Sequence, residues 1–209
     1  MIAISMRVDQ IGATGEKRVS LDLNWREVIP VPLLPISPLL SPNILVSELN
    51  LVSGVILSGG NDVYPKEQDM ASKIRKTFEN TLLKVCLENK IRVFGVCYGL
   101  QLIASTFGAK IKKLDGHIGC DHDVYRAKDY PIIFDHFPQR LTVNSFHNFG
   151  ILDGDLLNSN LLAIYRDKAS NIEAITSADG SVMGTMWHPE RSLYTKCDVL
   201  QTWLAGCVK

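Results

Sequence analysis

Short apolar runs alternate with amphipathic stretches along the chain, a pattern that predicts an α/β domain whose strands are covered by helices. "IAISM", from Ile2, reads as a first strand, and "LDLNWREVI", from Leu21, as a helix ended by Pro30. "GVILSGG", Gly54 to Gly60, is a buried strand running into a glycine turn, and "NDVYPKEQDM" after it is a polar loop. Between Ala71 and Glu88 the apolar residues Ile74, Phe78, Leu82 and Val85 recur at helical spacing, while Lys73, Lys76, Lys84 and Glu88 fall elsewhere. This predicts a surface helix with that apolar face inward. "IRVFGV" is the next strand and "GLQLIASTFG" the next helix, stopped at Gly108. From Ala109 onward the strands shorten: "AKIKKL", "RLTVN", "LLAIYR", "NIEAIT" and "VMGTMW". A last helix is expected over Asp198–Leu204. The proline-rich stretch from Pro30 to Pro42 reads as a strand with flanking turns. With no repeat, low-complexity tract or linker, residues 1–209 are expected to form one domain.

Composition narrows the function. Of 209 residues 46% are hydrophobic, enough for a real core, and Lys plus Arg equal Asp plus Glu at 22 each. No charge excess argues for nucleic acid or an acidic membrane, and Lys110, Lys112 and Lys113 read as a solvated strand edge. No apolar run reaches a membrane span, "MIAISMRV" lacks the marks of a secretory leader, and five scattered cysteines suit a reducing compartment. A cytoplasmic protein is expected.

Candidate chemistry centres on Cys97 in "VFGVCYGLQLIASTFGA". A buried cysteine is usually a small hydrophobe. A sharp strand-to-helix turn flanked by Gly95 and Gly99 instead exposes the turn residue, and the unpaired N–H groups of the helix start are expected to lower its thiol pKa. A base is needed, and "TMWHPER" offers His188. In an extended segment stiffened by Pro189, Glu190 falls on the same side as His188 and orients it. From spacing alone, structural roles for the cysteine and histidine remain the favoured reading.

"GVCYGLQ", then "GTMWHPER" some ninety residues later, with "LSGGND" upstream, resembles the class I glutamine amidotransferase superfamily. "SGGND", "RKTFE" and "NSFHNFGI" are similar to its γ-glutamyl hydrolase branch. Lys76 departs from that branch, which has an aspartate there, and the segment between the GG turn and the helix is brief. The resemblance implies a flavodoxin-like α/β fold with a mostly parallel central sheet, helices on both faces and short antiparallel strands in the C-terminal half. It implies a γ-glutamyl thioester on Cys97, with His188 and Glu190 completing a triad. Oxyanion donors would be the N–H groups of Gly60 and Tyr98, while Gln101, Ser145 and Phe146 would grip the amino-acid end of the glutamyl group. The expected substrate is a small γ-glutamyl amide. A hydrolase acting alone is favoured over a glutaminase subunit serving a separate synthase, and over a catalytically idle binding protein on the same fold. Short members with a segment like "SMRV" and "LDLNW" resemble hydrolases of surface-polysaccharide pathways, including one that frees cytidine diphosphoramidate. Lys66, Arg75, Lys112 and Lys113 are then candidate phosphate partners.

"GHIGCDHDVY" holds His117, Cys120, Asp121 and His122, but its spacing matches no familiar structural zinc site, so no metal is expected. It reads as a loop on the active-site rim with His122 facing the leaving group. His147 either lines the pocket or bonds a neighbouring loop. Cys86, Cys197 and Cys207 read as packing residues, and no organic cofactor is expected.

Overall fold

The computed structural model describes residues 1–12, 15–41, 49, 51–64, 66–127, 135–156, 159–191 and 198–207. Strands are β1 (Ile2–Ser5), β2 (Arg7–Ile11), β3 (Glu16–Ser20), β4 (Leu33–Ile36), β5 (Gly54–Leu57), β6 (Arg92–Val96), β7 (Lys112–Lys113), β8 (Ile118–Arg126), β9 (Arg140–Phe146), β10 (Phe149–Leu152), β11 (Leu161–Arg166), β12 (Asn171–Ser177) and β13 (Val182–Thr185). Helices are α1 (Trp25–Val28), α2 (Met70–Glu88), α3 (Tyr98–Thr106), α4 (Asp153–Leu156) and α5 (Asp198–Cys207).

The main sheet runs β4-β1-β5-β6-β13-β12-β11-β8-β9. Its first five strands are mutually parallel, and from β13 to β9 every pairing is antiparallel. Parallel strands are covered on both faces, which explains their unbroken burial in β1, β5 and β13. Strand alternation then sorts residues between two cores: Ala3, Val55, Leu57 and Val93 pack with α2 and α3, whereas Ile2, Ile4, Ile56 and Phe94 pack with Trp25 of α1 and Trp203 of α5. The mixed sheet with its antiparallel C-terminal half is the expected architecture.

Several elements differ from expectation. The helix expected over "LDLNWREVI" is only the single turn α1, and the last helix continues past Leu204 to Cys207. "AKIKKL" forms only the two-residue β7, whose exposed lysines pair with β10. The "GHIGCDHDVY" segment is not a loop, because Ile118–Arg126 pairs with β9 along its length. The hairpin of β2 and β3 has no counterpart among the expected elements, since its polar sequence carries little apolar alternation.

Helix α2 is turned relative to its apparent apolar stripe. Its buried residues include Ala71, Arg75, Glu79, Leu82, Leu83 and Cys86, while Ile74 is exposed. Arg75 and Glu79 lie one turn apart, with Arg75 Nε donating to Glu79 Oε1 at 2.9 Å, so an ion pair occupies core positions that hydrophobic patterning assigns to the surface. Cys86 and Cys207 are buried as expected, and Cys197 lies outside the described residues.

Candidate active site

The chain turns sharply where β6 becomes α3. Cys97 takes φ 49° and ψ −101°, a conformation that L-residues populate sparsely and that costs roughly 1–3 kcal/mol. The turn is held because Cys97 N donates to Thr185 O at 2.8 Å and its carbonyl accepts from Gln101 N at 3.0 Å. Only glycine fits beside it: a Cβ on Gly99 would lie 2.1 Å from Leu57 O, and one on Gly95 would lie 2.5 Å from Leu100 N. The thiol does not have the lowered pKa expected at a helix start. Burial pushes it up to about 12; the Tyr98 N–H and Arg191 oppose the rise, and Glu190 adds to it. Burial therefore favours the neutral thiol at Cys97.

After β13 the chain passes through His188 into a single 3-10 turn, Pro189–Arg191, rather than the expected extended segment. The turn still brings Glu190 Oε1 to 2.7 Å from His188 Nδ1, with both residues 2% exposed. Asn144 of β9 clamps the histidine backbone: its Nδ2 donates to His188 O, and its Oδ1 accepts from His188 N, each at 2.9 Å. Cys97 and His188 line one cavity of ≈ 170 Å³ together with Gly60, Asn61, Gln101, Phe146, His147 and Arg191.

The opposite wall is the glycine turn after β5. Gly60 takes φ +91°, and its loop is held by Arg75, whose Nη1 donates to the carbonyls of Gly59 and Gly60 at 2.9 Å. Arg75 Nη2 donates to Ser58 O at 2.6 Å. Asn61 fastens the hairpin to the same turn, its amide exchanging hydrogen bonds with the backbone of Val8 at 2.7 and 3.2 Å. A second cleft of ≈ 240 Å³ opens beyond Gly59, between the hairpin, Trp25 and Arg191.

The other expected site residues divide. Gln101 lines the cavity and donates to Phe149 O at 2.8 Å. Phe146 lines it too, but the Ser145 hydroxyl is turned to His117 O at 2.7 Å. His147 lines the cavity, and its Nδ1 meets Phe149 O, two residues on in the same turn, at 3.1 Å rather than a neighbouring loop. His122 does not face a leaving group. Its Nε2 faces the buried Glu173 of β12 at 3.6 Å, and that carboxylate holds the imidazole above its ordinary value. Ligand atoms of His117, His122 and Glu173 lie within 4.8 Å of one another, a grouping able to hold a metal ion.

The expected phosphate partners are also displaced. Arg75 is wholly buried, Lys112 pairs with Asp155 at 2.6 Å, and neither Lys66 nor Lys113 lines the cavity or the second cleft. The cation bordering both is Arg191, which stands 4.8 Å over the Phe146 ring. Sequence reasoning misses Asn144, Arg191 and Glu173. The first two lie within "NSFHN" and "WHPER", but nothing local to "NIEAIT" links Glu173 to histidines far from it in sequence.

The family model for glutamine amidotransferase class-I matches residues 35–204. γ-Glutamyl-CDP-amidate hydrolase of Campylobacter jejuni is 33% identical over 98% of this chain and 97% of its own length. A glutamine-hydrolyzing GMP synthase subunit of Methanococcus aeolicus is 26% identical over 78% of this chain and 77% of its own. Among solved structures, a putative GMP synthase subunit from Thermoplasma acidophilum superposes with a TM-score of 0.70 at 21% identity, covering 99% of this chain and 94% of that one. The glutaminase domain of Trypanosoma brucei CTPS gives 0.68 at 14%, covering 99% and 92%. These two likenesses concern the fold.

Proposed function

Because the chain belongs to the class I glutamine amidotransferase family, we propose that it is a cysteine-dependent hydrolase of γ-glutamyl amides, with Cys97 as nucleophile, His188 as base and acid, and Glu190 as the group that orients the imidazole. The observation that carries the reading is the near full-length 33% identity to a γ-glutamyl-CDP-amidate hydrolase. The shared cavity of Cys97 and His188 and the 2.7 Å His188–Glu190 contact support the roles.

In this reading Cys97 Sγ adds to the γ-carbonyl carbon while its proton passes to His188 Nε2. Glu190 accepts the Nδ1–H and stabilises the imidazolium. The Gly60 and Tyr98 N–H groups take the oxyanion. As the tetrahedral centre collapses, the C–N bond breaks and His188 gives its proton to the leaving nitrogen, leaving a thioester. Water, deprotonated by His188, then adds to the thioester, and collapse releases glutamate and the thiol. A neutral resting thiol suits this order, since the proton leaves sulfur only as substrate is attacked.

For the leaving group, Arg191 makes no ion pair among the described residues and borders both clefts, whereas Arg7 in the second cleft is already paired with Asp9 at 3.0 Å. This supports an anionic, diphosphate-bearing leaving group lying past Gly59, as in a γ-glutamyl nucleotide amide. The purified chain, incubated alone with γ-glutamyl-CDP-amidate, γ-glutamyl-γ-aminobutyrate or glutamine, is expected to release glutamate fastest from the first. Negligible turnover of all three alone, with glutamine cleaved only beside a synthase, would overturn the reading in favour of a glutaminase subunit.

A further inference from the structure

Behind the wall of the cavity formed by Phe146 and His147, three histidines converge on one carboxylate. Nε2 of His122 and of His147 each lie 3.6 Å from Glu173 Oε1, and Nε2 of His117 lies 3.8 Å from it. Glu173 is fully buried, and His147 is 3% exposed. Both oxygens of Glu173, Nε2 of His147 and both ring nitrogens of His122 have no hydrogen-bond partner among the described residues. Buried polar atoms are rarely left this way, because each unmade bond costs about 1–3 kcal/mol. Five in one cluster point to a missing occupant.

The spacing and the outer contacts say what kind. Direct imidazole–carboxylate hydrogen bonds bring nitrogen and oxygen to about 2.7–2.9 Å. Two ligands at about 2.0–2.1 Å on a tetrahedral zinc ion stand about 3.4 Å apart, close to the separations found. His117 Nδ1 lies 3.1 Å from Asp115 O, and His147 Nδ1 lies 3.1 Å from Phe149 O. A ring that donates Nδ1–H to a carbonyl, as His147 does, presents the lone pair of Nε2 inward, which is how metal-bound histidines are held, whereas Nε2 of His117 faces a second acceptor. Asp167 stands beside the group, Oδ2 at 3.1 Å from His117 Nε2, while both its oxygens accept bonds from Asn171. A carboxylate and two imidazoles suit a divalent ion of borderline softness.

We propose that His117, His122 and Glu173 bind one zinc-class divalent cation, with His147 Nε2 beside them at 3.6 Å from Glu173 Oε1. None of these three ligands lines the cavity of Cys97, so the ion is structural. It ties the segment before β8 and the strands β8 and β12 into one body, and, since β8 pairs with β9, braces the wall that carries Phe146. The departure from the no-metal expectation has a plain cause: Glu173 lies some fifty residues beyond His122, so no short spacing announces the set.

The proposal does not depend on the leaving group, and metal content tests it. The full chain, produced without a polyhistidine tag in zinc-supplemented medium, is expected to retain about one zinc per chain. A chelator should lower its thermal midpoint, and added zinc chloride should restore it. The variants H122A and E173Q should each lose the equivalent, while C97S keeps it. Because the variants are exposed to misfolding, X-ray absorption on the wild-type zinc protein provides a second reading, with imidazole nitrogen and oxygen but no sulfur in the coordination shell. Wild-type protein that neither retains zinc nor gains stability from it, or a zinc shell containing sulfur, overturns the proposal.

Discussion

The guanidinium carbon of Arg75 stands 4.3 Å from the centre of the Tyr98 ring, while its nitrogens hold the carbonyls of Ser58, Gly59 and Gly60. One buried cation thus connects the two backbone segments that supply the proposed oxyanion donors. Arg75→Ala would strand the Glu79 carboxylate, so a stability loss of about 3–5 kcal/mol is expected in denaturant titration. Arg75→Lys keeps the charge but lacks the planar fork, and should fold while losing kcat more than it raises KM. A lysine variant with unchanged kcat would mean that the loop holds its shape without the arginine.

Glu190→Gln removes the charge facing His188 Nδ1 and keeps the volume. We expect kcat to fall about 10²–10⁴-fold with KM little changed, as steady-state glutamate release would show. A loss below threefold would count against an orienting role.

Alkylation of Cys97 by iodoacetamide, followed by peptide mass spectrometry, tests the neutral thiol. Burial raises its pKa to about 12, above the ordinary value of about 8.5, so the thiolate fraction at pH 8 is small. The rate should keep rising beyond pH 9. By linkage the same shift contributes stability that is complete below the unfolded-state value and is lost as pH rises from there toward 12. A plateau in alkylation below pH 8 would reveal a stored thiolate instead.

Arg191→Gln addresses the leaving group. Hydrolysis of a γ-glutamyl nucleotide amide should show KM raised about tenfold, roughly 1.4 kcal/mol, with γ-glutamyl-γ-aminobutyrate unaffected. Equal losses on both substrates would place Arg191 at the glutamyl end.

The parallel half of the fold is legible in the sequence because fully buried strands such as "GVIL" and "VFGV" are continuous apolar runs bounded by glycine turns. The hairpin is not, since Val8 is its one buried residue and Asn61 holds it through backbone bonds that leave no apolar signature. Motifs find Cys97, His188 and Glu190, yet the chemistry expected of the thiol needs revision. A helix start favours a thiolate, but burial opposes it more strongly, and burial depends on packing from distant segments. Arg75 reads as a surface phosphate partner because charge normally stays outside. Only the register of α2 against the glycine turn shows that its donors have backbone partners.

The hairpin bounds the second cleft while contributing no residue to the cavity of Cys97. One wall of the second cleft and the whole lining of the Cys97 cavity therefore belong to separate pieces of chain, joined at Asn61 and Val8. A graft exchanging Arg7–Ser20 for another sequence, with valine and backbone pairing kept at that junction, would reshape that wall while leaving the lining of the Cys97 cavity in place.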